Sequence, residues 1–144
     1  MTLARIAKVT AVLLVSGVAL VPASSSPVAG TLRPLSDADQ SKTKETGCTF
    51  SFDAANKTLV QAVGHDFTIR TSAGLKVCRI TDAAFQKLGD GSSTTCGGYT
   101  LRFKRAGKVD ANEASDSSSW TAILTIGQGK RTLQTIRGNA GTAC

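Results

Sequence analysis

The chain has 144 residues, with 17 Lys and Arg set against 10 Asp and Glu, a single His, and a net charge of +7. That length suits one modest domain, and 41% hydrophobic with 19% charged residues excludes a disordered polyelectrolyte. With one His, a four-ligand Cys/His zinc site would consume at least three of the four cysteines.

The chain opens with Arg5 and Lys8, followed by an apolar run from Val9 to Val21 that Pro22 interrupts. This is the charged start and short apolar stretch of an export signal, shorter than the roughly twenty apolar residues a membrane helix needs. Val21 and Ala23 are small enough to precede a cleavage point, so residues 1–23 are expected to be a signal peptide. Losing Arg5 and Lys8 leaves 15 basic against 10 acidic side chains, a net charge of about +5. No integral membrane span is expected after cleavage, and the product is expected to be secreted or periplasmic.

Residues 24–47 combine Pro27, Pro34, many Ser and Thr, and interleaved charges at Asp37, Asp39, Lys42, Lys44 and Glu45. With few large apolar side chains and no sustained period, this stretch reads as a flexible linker. The folded domain is expected over residues 48–144.

Within it the signals are short and alternating. Cys48 to Asp53 places Cys48, Phe50 and Phe52 on one face; Thr58 to Val63 follows a turn. Asp66 to Thr71 alternates through Phe67 and Ile69, and Leu75 to Ile80 forms a fourth strand. Thr81 to Leu88 changes period and carries a capping residue at its start, which predicts one short helix ending at Gly89. A loop rich in Gly, Ser and Thr then leads to Cys96. Tyr99 to Lys104 resumes alternation, with Tyr99, Leu101 and Phe103 apolar. Ala106 to Ser119 is polar and reads as a long exposed loop. Trp120 to Ile126, the turn Gly127–Lys130, and Arg131 to Arg137 form a closing hairpin. The total is an all-β domain with one short helix, a small antiparallel barrel or sandwich of about seven strands.

Cys48, Cys78, Cys96 and Cys144 form an even set in an exported chain, the signature of a disulfide-stapled fold. Of three pairings, Cys78–Cys96 with Cys48–Cys144 is favoured. The first clamps the helix and its loop onto the sheet, and the second ties the first strand of the domain to Cys144.

The catalytic inventory is thin. His65 follows Gly64 at a turn with no nucleophile beside it in sequence, and the serines before Trp120 lack a nucleophile elbow. Asp110, Glu113 and Asp116 do not follow a calcium-loop pattern. Asn56-Lys57-Thr58 matches a glycosylation sequon at a turn. No enzyme activity, metal or cofactor is expected.

The pronounced surface feature is basic. Arg102 and Lys104 share the face opposite Leu101 and Phe103, with Arg105 and Lys108 just beyond. Arg70 lies opposite Phe67 and Ile69, while Lys130, Arg131 and Arg137 surround the last hairpin. Arg70, Arg102, Lys104, Arg105, Lys108, Lys130 and Arg131 are therefore candidate ligands for an anion, whether an envelope polymer or a lipid headgroup. Exposed positions between them hold Thr and Gly rather than aromatics, which disfavours single-stranded nucleic acid. The expected role is non-catalytic binding of an anionic envelope or extracellular component. A protein target is the alternative. The outline of leader, about a hundred residues, several strands and a closing cysteine resembles that of small exported barrels that inhibit lysozyme, without a shared motif. The basic charge opposes encounter with a basic target of that kind.

Overall fold

The computed structural model describes residues 32–144. The expected signal peptide lies outside the described residues, as does the first third of the expected linker.

One curled antiparallel sheet of nine strands dominates the fold. In chain order the elements are β1 (Leu32–Arg33), α1 (Asp37–Gln40), β2 (Thr49–Ala54), β3 (Lys57–Val63), β4 (Asp66–Thr71) and β5 (Gly74–Arg79). They continue with α2 (Asp82–Gln86), β6 (Asp90–Cys96), β7 (Tyr99–Asn112), a single 3-10 turn at Glu113–Ser115, β8 (Ser117–Gln128) and β9 (Arg131–Ala143). Around the sheet the order is β6-β7-β8-β9-β2-β3-β4-β5, with β1 continuing the β3 side of β4 where that ladder ends.

Both expected disulfides are present. Cys48–Cys144 extends the β2–β9 ladder by one rung beyond Thr49 and Ala143, with Cα atoms 4.1 Å apart. Cys78–Cys96 does something the ladders do not. It joins β5 to β6, the two edges of the sheet, across a Cα separation of 5.6 Å. The sheet is thus drawn toward a barrel by a covalent seam.

The alternation of the strands explains the interior. Phe50 and Phe52 of β2, Phe67 and Ile69 of β4, Leu101 and Phe103 of β7, and Leu124 and Ile126 of β8 are all fully buried. Phe103 is the hub: its ring lies 5.1 Å from Phe50, 5.8 Å from Phe52 and 6.4 Å from Phe67. Side chains from distant strands of the sheet meet there, which is what curling achieves. Contact of β9 with β2 requires Gly138, where a Cβ would fall 2.2 Å from the Asp53 carbonyl oxygen.

Three expectations need correction. Leu32–Gly47 is not a free tether but a strap across the outer face of β3 and β4. Leu32 enters the interior core opposite Thr71, while Leu35 is buried outside that core; the Leu35 N–H donates to the Thr58 carbonyl, and Ser36 caps α1 in a capping box with Asp39. Thr68, on the outward side of β4 by alternation, is wholly buried as a result. Low hydrophobicity concealed this because ion pairs anchor the strap. Asp39 receives both Arg70 Nε and Nη2, and Asp66 accepts from Arg79 and the Lys44 backbone N–H.

The expected Ala106–Ser119 loop is instead the outer half of a hairpin. β8 sits between β7 and β9, so Ser117–Ser119 form ladder bonds on both edges and need no apolar pattern to be strand. A bulge between Arg105 and Val109 interrupts the β7 side. Likewise Asp90–Cys96, read as a loop, pairs with β7 as the edge strand β6. The helix is found where expected, with Thr81 as its N-cap and Leu88 buried just past its end.

Candidate basic site

The outward faces of β7, β8 and β9 are placed in register by their ladders. Arg102 lies opposite Ser93 of β6 and Thr125 of β8, and Thr125 lies opposite Thr135 of β9. The next row outward is Lys104, Ile123 and Arg137. Cross-strand partners share a face, so these side chains stand on the same outer surface.

At the β8–β9 turn the sheet forms a cup of about 250 Å³ lined by Ser93, Thr100, Arg102, Thr125, Gly127, Gly129, Lys130, Arg131 and Thr132. Local chain geometry makes it. Gln128 pairs with Arg131, leaving Gly129 and Lys130 as a two-residue turn with φ 58° at Gly129 alone. A bulge between Ile126 and Gly127 shifts the register above that turn. Three cations and four hydroxyls line the cup, and no carboxylate does. Arg102 Nε donates to Ser93 Oγ at 3.3 Å, which steadies the guanidinium at the rim.

The seven sequence-predicted cations separate into distinct situations. Arg102, Lys130 and Arg131 converge on the cup. Lys104 is exposed on the same face, one row away. Arg105, though exposed, is off that face: it pairs opposite the inward Ala122 and its guanidinium lies 5.1 Å from the Trp120 ring centroid. Lys108 falls within the β7 bulge on the outer half of the hairpin. Arg70 is committed to Asp39, and that guanidinium, with the Ser36 backbone N–H, holds the Asp39 carboxyl far below its ordinary range. No strand pattern in the sequence signals a strap, so that pairing could not be read in advance.

A second groove of about 380 Å³ opens on the same face, lined by Asp53, Asn56, Thr121, Arg137 and Asn139 among others. Asp53 accepts from Thr58 and Ser51 hydroxyls at 2.6 and 3.1 Å. Its carboxylate makes this groove less suited to an anion despite the larger volume.

Sequence reasoning missed the surroundings of His65. It sits in the β3–β4 turn, but Nε2 is 2.9 Å from Asp82 of α2 and Nδ1 is 3.7 Å from Glu45 of the strap. Both ring nitrogens face carboxylates rather than a hydroxyl or thiol. Arg79 bridges Glu45 and Asp66 beside them, and its hydrogen bond, with the Lys44 backbone N–H, lowers the Asp66 carboxyl. Among the described residues no group of three His, Cys, Asp or Glu side chains is placed to hold a metal ion.

No protein-family model, curated protein or solved structure matches the chain. Two disulfides accord with an extracellular or periplasmic setting. No helix among the described residues is long and apolar enough to cross a membrane.

Proposed function

We propose that this protein is an exported, non-catalytic binding module whose outer cup takes an anionic group of a cell-envelope or extracellular component. The observation that carries the reading is the lining of the cup: Arg102, Lys130 and Arg131 with Ser93, Thr100, Thr125 and Thr132, and no acid. Guanidinium and ammonium groups supply charge-assisted hydrogen bonds to oxyanions, and hydroxyls complete the coordination without opposing charge. His65, with both nitrogens turned to carboxylates, supports a structural role at the strap and not acid–base chemistry.

Calorimetric titration with tripolyphosphate at low salt tests this. Arg102→Ala with Lys130→Ala should weaken binding at least about tenfold, roughly 1.4 kcal/mol. Lys42→Ala with Lys57→Ala removes the same charge from exposed positions outside the cup and should change little. Equal losses in both variants would show diffuse attraction instead of a site.

The outer half of β7, exposed beyond the end of β6, favours a second reading, docking to a protein. Every residue from Lys104 to Asp116 is exposed, including the apolar Val109. Val109→Asp should abolish capture of a protein partner on that reading and leave tripolyphosphate binding intact.

A further inference from the structure

We infer that the ligand is a linear phosphodiester chain lying along β8, gripped at three successive stations, and not a single compact anion; this rests on the cup being the anion site. The stations follow from register. Lys130 and Arg131 stand at the β8–β9 turn, Arg102 stands opposite Thr125, and Lys104 and Arg137 flank Ile123 from either side. From the Gln128 rung to the Ile123 rung is five residues, about 17 Å of strand. A tripolyphosphate seated in the cup does not span that distance, whereas an extended chain does.

The interval between stations narrows the chemistry. Arg102 and Lys104 are two residues apart on one strand, so their rows are separated by about 7 Å. A chain carrying one negative charge per polyol repeat matches that step, with methylene and hydroxyl groups between charges. What lies between the cations fits those groups: the half-buried Ile123 and Thr125, and Thr135. The bases of a nucleic acid would want aromatic surfaces, and this face offers none among its paired residues.

The acids along the track do not cancel it. Asp90 pairs opposite Lys104, but its carboxylate accepts from the Ser92 N–H and lies under the influence of Lys87 and Arg105. Asp53 shares a groove with Arg137 at the far end of the track, where its carboxylate accepts from the Thr58 and Ser51 hydroxyls, so Arg137 is the weakest of the stations.

The experiment compares four probes: tripolyphosphate, glycerol phosphate, poly(glycerol phosphate) of several repeats, and a carboxylated glycan of equal charge. It uses the wild-type protein, a cup variant (Arg102→Ala with Lys130→Ala) and a track variant (Lys104→Ala with Arg137→Ala). The expected result is chain binding at least about tenfold tighter than the monomer, because linked contacts act at high effective concentration. The track variant should lose most of that gain, while its loss for tripolyphosphate stays no larger than that of the Lys42→Ala/Lys57→Ala control. If tripolyphosphate depends on the cup but the chain ignores the track variant, the extended mode is wrong and the cup stands. If wild type binds neither tripolyphosphate nor the chain, the cup itself is wrong. A carboxylated glycan that outcompetes the phosphodiester chain at equal charge would overturn the choice of phosphate.

Discussion

The covalent seam between β5 and β6 makes a prediction that chain entropy alone does not. The two bridges close intervals of 18 and 96 residues, for which loop-closure entropy gives about 3 and about 5 kcal/mol. Cys96 is buried, so Cys78→Ala with Cys96→Ala is the cleaner way to open the shorter bridge than serine, which would bury a hydroxyl. A loss of about 3 kcal/mol in a domain of this size lowers Tm by roughly 12–25 °C. Opening Cys48–Cys144 should cost more overall, yet β2 and β9 remain hydrogen-bonded neighbours without it. β5 and β6 share no ladder. The smaller entropic term should therefore produce the larger local loosening. Hydrogen exchange reads this directly: β5, α2 and β6 should lose protection in Cys78→Ala/Cys96→Ala, with β2 and β9 close to wild type. Unchanged protection in β5 and β6, or earlier loss there in Cys48→Ala/Cys144→Ala, would refute the seam.

Other consequences follow from single contacts. Gly138→Ala puts a Cβ against the Asp53 carbonyl and, at 2.8 Å, the Phe52 ring, so denaturant melts should show a loss of about 1–3 kcal/mol or more. Phe103→Ala empties the aromatic hub and should cost about 3–5 kcal/mol in the same assay. Asp39 and Asp66 both titrate below their ordinary value of 3.8 when folded. Their contribution to holding the strap is thus complete above about pH 4 and disappears as pH falls through the depressed folded values. Acid-tolerant proteolysis of the strap should rise over that interval, and Asp39→Asn should show the rise already at neutral pH.

The sequence disclosed elements wherever side-chain period and burial coincide. Phe50, Phe52, Phe67, Ile69, Leu101 and Phe103 alternate because one side of each strand faces the interior, and the disulfide pairing followed from the ends those strands present. It concealed elements held by backbone partners or by charge. Ser117–Ser119 are strand because two neighbours bond them, and Asp90–Cys96 because β7 offers an edge; Leu32–Gly47, mostly not strand, is held because Arg70 and Arg79 lie at the right heights on β4 and β5. The candidate site was legible only as a list of cations on outward positions. Which of them converge depends on the Ile126/Gly127 bulge and the Gly129 turn, and register shifts of that kind leave no periodic trace.

The distribution of ion pairs gives the cup its electrostatic character. Asp39, Glu45 and Asp66 are engaged by Arg70 and Arg79 on the strap side, while none of the ion pairs among the described residues involves Arg102, Lys130 or Arg131. The acids of the strap are thus taken up by arginines, while the cations of the cup have no acidic partner among those ion pairs. Three unpaired cations around one small cleft repel one another, so the empty site costs stability, and a salt atmosphere with a screening length of about 8 Å relieves that cost. Salt should therefore act with opposite signs on the two properties of the cup: it weakens anion binding, and it stabilises the unliganded protein. The stabilising part belongs to the cup only if it shrinks in Arg102→Ala/Lys130→Ala, since screening elsewhere is common to both proteins. Thermal melts across a salt series in wild type and variant measure the difference. Parallel curves would mean that these cations stand too far apart to sense each other, and a site that cannot concentrate positive charge would have no basis for selecting an anion.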